Sequence, residues 1–178
     1  MAKVNGLTIR AKRKTTAEDG IECTIGSLCL GDKKVALFDR EEDPKSGSSS
    51  VQLFMMRGLS EDRFVAKLAE LRGGQDADEV LADLIDEITW LGSLELEFLR
   101  HLGSANGAMI VLNFDGGQIS IGVPMKYSSA SDEEILEMLQ GRIRQTEMSY
   151  GSFCSYKVFR SMDDFTKGTE ITLEEISK

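Results

Sequence analysis

Histidine occurs once in these 178 residues, at position 101, so no histidine-rich zinc site and no histidine pair can be built. The three cysteines, Cys23, Cys29 and Cys154, show no Cys-x-x-Cys spacing, and their odd number argues against a disulfide framework. Cys23 and Cys29 fall in one extended segment and cannot bridge while it stays extended. All three read as inert, partly buried thiols, and no spacing supports a Cys–His dyad. No apolar run approaches the roughly 18 residues of a spanning helix. The opening Met-Ala-Lys-Val-Asn-Gly lacks the apolar core of a signal peptide. The expected location is therefore cytoplasmic, with no membrane contact. The glycines form neither a Gly-x-Gly-x-x-Gly loop nor a P-loop, so nucleotide binding has no motif behind it and no cofactor is expected.

Positive charge is missing from one long stretch. Gly73 to Leu99 contains no lysine, arginine or histidine, yet carries Asp76, Asp78, Glu79, Asp83, Asp86, Glu87, Glu95 and Glu97, together with the only tryptophan, Trp90. On a helical wheel Ala77, Val80, Leu81, Leu84, Ile85, Ile88 and Leu91 share one side. Asp76, Glu79, Asp83, Asp86 and Glu87 gather opposite, with Trp90 among them. Acids three and four residues apart repel by roughly 0.2–0.5 kcal/mol per pair. The helix dipole rationalises those in the first turn, but not Asp83, Asp86 and Glu87. The site predicted here is therefore a partner-binding face made of Asp76, Glu79, Asp83, Asp86, Glu87 and Trp90, with tryptophan as the interface anchor.

The net charge of −9 is spread unevenly. Residues 1–40 carry +3, residues 41–104 carry −8 and residues 105–178 carry −4. Nonspecific binding to nucleic acid is disfavoured and a basic partner is favoured.

The length suits a single domain over 1–178, with a β meander over 1–58, a helical segment over 59–103 and a mixed segment over 104–178. Leu7, Ile9 and Ala11 alternate with Thr8, Arg10 and Lys12 as in a half-wet strand. Ile21, Cys23 and Ile25 continue, and Gly26-Ser27 suggests a bulge. Gly31-Asp32 turns the chain into Val35–Phe38. Glu41 to Ser50 reads as a polar loop, and Val51 to Arg57 as a returning strand. Ser60 caps a helix with Phe64, Val65, Leu68 and Leu71 on one face, ended by Gly73-Gly74. Asp76 opens the acidic helix, with Glu79 placed for a capping box. Gly92-Ser93 is expected to break or kink that helix, because Glu95 would otherwise enter the apolar stripe. Met109–Phe114 and Gln118–Val123 form a hairpin through Asp115-Gly116-Gly117. Ser131 and Glu134 box a helix carrying Ile135, Met138, Leu139 and Ile143. Phe153–Phe159 is a strand, and Thr172 with Glu175 opens a short terminal helix. The class is α+β: an antiparallel meander, central helices, then a second hairpin with a helix and a strand.

Two further constellations have chemical readings. Arg10, Lys12 and Lys14 form a basic strip on one strand face, with Arg13 opposite; such charges also defend an edge strand. Asp39 and Asp115 each end an apolar strand, and Lys126 follows the second hairpin strand. A metal-dependent enzyme acting on nucleic acid or nucleotides would use two carboxylates beside a lysine. However, the residue two before Lys126 is Pro124, which cannot ligate, and no metal site is expected.

Leu28-Cys29-Leu30-Gly31-Asp32-Lys33-Lys34-Val35-Ala36 resembles the opening hairpin of small accessory proteins of phages and conjugative elements, over about residues 21–56. That resemblance implies a mobile-element setting, in which acidic inhibitors of host defence, including anti-CRISPR and anti-restriction proteins, are frequent. It carries over no binding residue. The expectation is a non-enzymatic protein that docks on and inhibits a basic protein or ribonucleoprotein, such as a nuclease complex. The alternatives are the metal-dependent enzyme and a self-associating accessory module.

Overall fold

A computed structural model describes residues 1–104 and 106–178, apart from the side chains of Ala77 and Asp78. Ala77 on the expected apolar face and Asp78 among the first-turn acids therefore lie outside the described side chains. The architecture is α+β, with nine strands in two sheets and five α-helices among the described residues. Two compact units divide the chain: Met1–Gly92 with Thr166–Lys178, and Ser93–Phe165.

The first unit is built on a six-stranded sheet. It contains β1 (Lys3–Val4), β2 (Leu7–Thr16), β3 (Glu22–Leu30), β4 (Lys33–Asp43), β5 (Ser48–Met55) and β9 (Thr166–Lys167). The order β5-β4-β3-β2-β1-β9 is a consecutive antiparallel meander, to which β9 adds in parallel beside β1. The meander is thus the one expected, with two short strands added. β1 turns into β2 through Asn5-Gly6, whose φ values of 52° and 79° give the left-handed pair that a tight hairpin requires. Asn-Gly supplies that pair at little steric cost, and its signal in the opening residues escaped the sequence reading.

The bulge expected at Gly26-Ser27 lies elsewhere. Register shifts occur in β2 between Arg10 and Arg13, where Ala11 has a φ of 53°, and between Leu28 and Cys29. Gly26 has a different reason to be glycine: a Cβ there would stand 2.6 Å from the Phe38 ring. The polar loop is also shorter than expected. β4 runs to Asp43 and β5 starts at Ser48, so only Pro44–Gly47 are left to turn.

Helix α1 (Glu61–Leu71) begins as expected, with the Ser60 hydroxyl accepting from the Arg63 N–H, and buries Phe64 and Leu68. Helix α2 (Ala77–Gly103) is one continuous element. The break expected at Gly92-Ser93 does not occur, and Glu95 does sit in the buried stripe, at 8% exposure. Within the first unit Val80, Leu81, Leu84, Ile85, Ile88 and Leu91 of α2 are buried. Helix α5 (Leu173–Ile176) is opened by the expected Thr172–Glu175 capping box.

The second unit carries a three-stranded antiparallel sheet, with β6 (Asn106–Phe114) between β7 (Gly117–Pro124) and β8 (Phe153–Phe159). The Ser131–Glu134 capping box is present and opens α3 (Asp132–Met138). The single helix expected there is two pieces, because α4 (Gln140–Tyr150) starts only after Leu139 has left helical geometry, at φ −97° and ψ 1°. Ile135 and Ile143, one from each piece, close over Ile110, Leu112 and Val158 of the sheet. Phe165 stacks on Phe159, with ring centroids 4.7 Å apart. No helix among the described residues is long and apolar enough to cross a membrane.

Candidate functional site

The acidic face of α2 does not lack countercharge; the countercharge comes from other elements. Arg40 on β4 grips Asp86 with both terminal nitrogens, at 2.8 and 2.9 Å, and also reaches Glu42 at 3.2 Å. Glu87 pairs with Arg72, just past α1, at 2.6 Å, and with Lys167 on β9. The Lys12 ammonium donates to the Thr89 hydroxyl at 3.4 Å. The unbalanced charge expected at Asp86 and Glu87 is therefore corrected: both are paired with cations of the first unit.

Their protonation follows from this placement. Burial pushes the Asp86 carboxyl up, and Glu42 and Asp83 add to that against the pull of Arg40 and Lys12. Burial also acts to raise Glu87, but hydrogen bonds from Lys167 and Arg72 outweigh it and hold the carboxyl below its ordinary value. Lys12 is lowered, first by burial and then by repulsion from Lys14, while Asp86 pulls it the other way.

The remaining members of the predicted face turn to solvent. Glu79 and Asp83 are exposed and, with Ser49 and Ala82, line a shallow recess of about 300 Å³. The Gln75 amide donates to Asp83 at 3.3 Å. Asp76 is exposed, and its carbonyl accepts from the Val80 N–H at 2.9 Å, as expected of the residue that opens the helix. Trp90 is 37% exposed. The six predicted residues thus separate into an ion-paired couple, the exposed Asp86 and the half-buried Glu87, and a group outside those pairs.

The basic strip separates as well. The left-handed residue Ala11 reverses the alternation, so that Arg10 pairs across from Ser27 while Lys14 pairs across from Thr24. Arg10 binds Asp32 at 2.9 Å, and Lys14 forms an ion pair with Glu22. Lys12 meets α2, as described above.

In the second unit Asp115 and Lys126 stand beyond opposite ends of the eight-residue strand β7. Asp115 accepts from the Ser152 N–H at 3.2 Å and from the Cys154 thiol at 3.1 Å, which is turn chemistry. The Lys126 ammonium lies 4.6 Å from the centre of the Tyr127 ring. Among the described residues, no three His, Cys, Asp or Glu side chains are grouped as a metal site would need.

The cysteines need one correction. Cys29 is buried and Cys23 half-buried, but Cys154 is exposed. Its hydrogen bond to Asp115 raises the thiol above its ordinary range, and partial burial adds to that. It is a poor nucleophile despite its access to solvent.

Apolar side chains on the outward sheet face escaped the sequence reading. Leu37 on β4 stands directly opposite Phe54 on β5, and Ile25 on β3 lies diagonally beyond. They are 38%, 55% and 49% exposed. Alternation in the Val51–Met55 segment was the available signal, but it does not say which face is covered.

Compared with protein-family models, with curated proteins and with solved structures, the chain matches none.

Proposed function

We propose that the chain is an acidic, non-enzymatic binding protein. It docks on a basic nucleic-acid-handling protein or ribonucleoprotein, such as a nuclease complex, and inhibits it. The setting is that of the phage and mobile-element proteins whose opening hairpin Leu28–Ala36 resembles.

The observation that carries this reading is the solvent-facing recess of Glu79 and Asp83, which keeps its carboxylates outward while Asp86 and Glu87 are engaged by Arg40, Arg72 and Lys167. Carboxylates held at a surface recess can occupy sites that a basic partner offers to phosphates. A chain of net charge −9 also speeds encounter with such a partner at low salt.

The test reverses only the outward acids. Glu79→Lys with Asp83→Lys leaves the ion pairs of Asp86 and Glu87 in place, so folding is not confounded. Affinity capture from the producing cell's extract should recover a basic nucleic-acid-handling protein with the native chain and lose it with this variant. Equal capture by both chains, or recovery of an acidic partner, would overturn the reading.

A further inference from the structure

The six-stranded sheet has two open margins, and the chain treats them in opposite ways. β1 pairs with β2 only at Val4 and Leu7, so among the described residues no strand pairs with the outer side of β2 from Arg10 onward. That margin carries Arg10, Lys12, Arg13 and Lys14 and is kinked by the bulge at Ala11. Charges and a bulge are the usual protection against a further strand. β5 forms the other margin, and among the described residues no strand lies beyond it. Its sequence, Ser-Ser-Ser-Val-Gln-Leu-Phe-Met, has no charge and no proline, and its register with β4 runs without a shift. One edge is defended and the other is not.

The hydrogen-bonding groups of that edge can be assigned. The Met56 N–H donates to the Val35 carbonyl at 2.9 Å, which fixes the phase of the β4–β5 ladder. Hydrogen-bonded pairs then alternate through Phe54, Gln52 and Ser50. Ser49, Val51, Leu53 and Met55 therefore aim their N–H and C=O groups away from the sheet. Water satisfies such a row in the free chain, and an extended strand replaces that water along the whole row in register.

The side chains along the edge describe its occupant. On the inner face, Ser49 shares its recess with Glu79 and Asp83 of α2. On the outer face, Phe54 and Leu37 present uncovered apolar surface. A second copy of this chain would bring a further net charge of −9 to an edge already flanked by acids.

We propose that β5 is a strand-addition site. It takes an extended segment of the partner whose alternate residues are lysine or arginine toward Glu79 and Asp83, and apolar toward Phe54 and Leu37. This deepens the proposed function and rests on the same binding surface.

The probe is a blocked eight-residue peptide alternating lysine and valine, titrated into the full chain. Its controls are the peptide with glutamate for lysine and the same lysine peptide N-methylated at alternate residues. Val51→Pro removes one outward N–H without touching the β4 ladder, and edge strands accept proline there. Both control peptides should bind the native chain at least about tenfold more weakly. Val51→Pro should weaken the parent peptide by a similar factor. Undiminished binding of the N-methylated peptide would overturn the proposal without reference to any protein variant. So would sedimentation showing that the chain dimerises through β5 in place of binding peptide. If Glu79→Lys with Asp83→Lys abolishes partner capture while Val51→Pro does not, strand addition fails and the acidic docking reading stands. If neither variant affects capture, both fail.

Discussion

Replacing Glu87 by glutamine keeps the shape of the side chain and removes the charge shared by Arg72 and Lys167. The Arg72 side chain is only 16% exposed, so its hydrogen bond to Glu87 belongs with charge-assisted bonds worth about 1.5–3 kcal/mol. Lys167 is 46% exposed, and its share falls toward the roughly 0–1 kcal/mol of surface pairs. Glu87→Gln should therefore cost about 2 kcal/mol. For a chain of this size that lowers Tm by roughly 4–8 °C. Trp90 lies on the same helix in the same unit, so its fluorescence during urea or thermal unfolding reports the transition. The sign with pH is fixed by the direction of the shift. Because the folded carboxyl is held below its unfolded value near ~4.3, the stabilisation is full above that pH. It is lost as pH falls through the folded value, and the two proteins should then converge. Asp86 behaves in the opposite sense. Burial raises it, so its ionised form opposes folding above its folded value and that penalty is relieved on acidification. Asp86→Asn should thus cost less than Glu87→Gln at neutral pH, since Arg40 also keeps Glu42 at 3.2 Å. A Glu87→Gln cost under about 0.5 kcal/mol at pH 7, or one unchanged at pH 3, would refute the reasoning.

Two other outcomes follow from local geometry. Gly26→Ala drives a methyl group into the Phe38 ring at 2.6 Å and should destabilise by about 1–3 kcal/mol, partly rescued by Phe38→Leu; urea unfolding of the single and double variants checks this. Cys154, though exposed, should react with a disulfide reagent at neutral pH more slowly than an unhindered thiol, and Asp115→Asn should accelerate it, because the carboxylate no longer disfavours the thiolate; faster labelling of the native chain would contradict the assignment.

The elements legible in the sequence are those whose signal is local. The Ser131–Glu134 and Thr172–Glu175 boxes each name their own helix start, and the strand expected at Phe153–Phe159 is found with those bounds. Signals that depend on a distant partner were silent or misleading. The Ser48–Ser50 run has no apolar period, so its pairing with Glu41, Glu42 and Asp43 could not be read. Glycine and serine at 92 and 93 resemble a breaker, yet the helix continues because the stripe through Leu91, Leu94 and Phe98 stays buried on both sides of them. The acidic helix was the clearest feature of the sequence and only half interpretable. Which acids are already paired depends on Arg40, 46 residues from Asp86, and on Lys167, 80 residues from Glu87. No window of sequence around the helix contains that information.

Residue-by-residue amide hydrogen exchange along β5 tests the open edge most directly. In the free chain the amides of Ser49, Val51, Leu53 and Met55 should exchange on the order of a hundredfold faster than those of Ser50, Gln52 and Phe54, which the β4 ladder protects. Equal protection of the two sets would mean that the edge is already covered, and that no partner strand can be accommodated there.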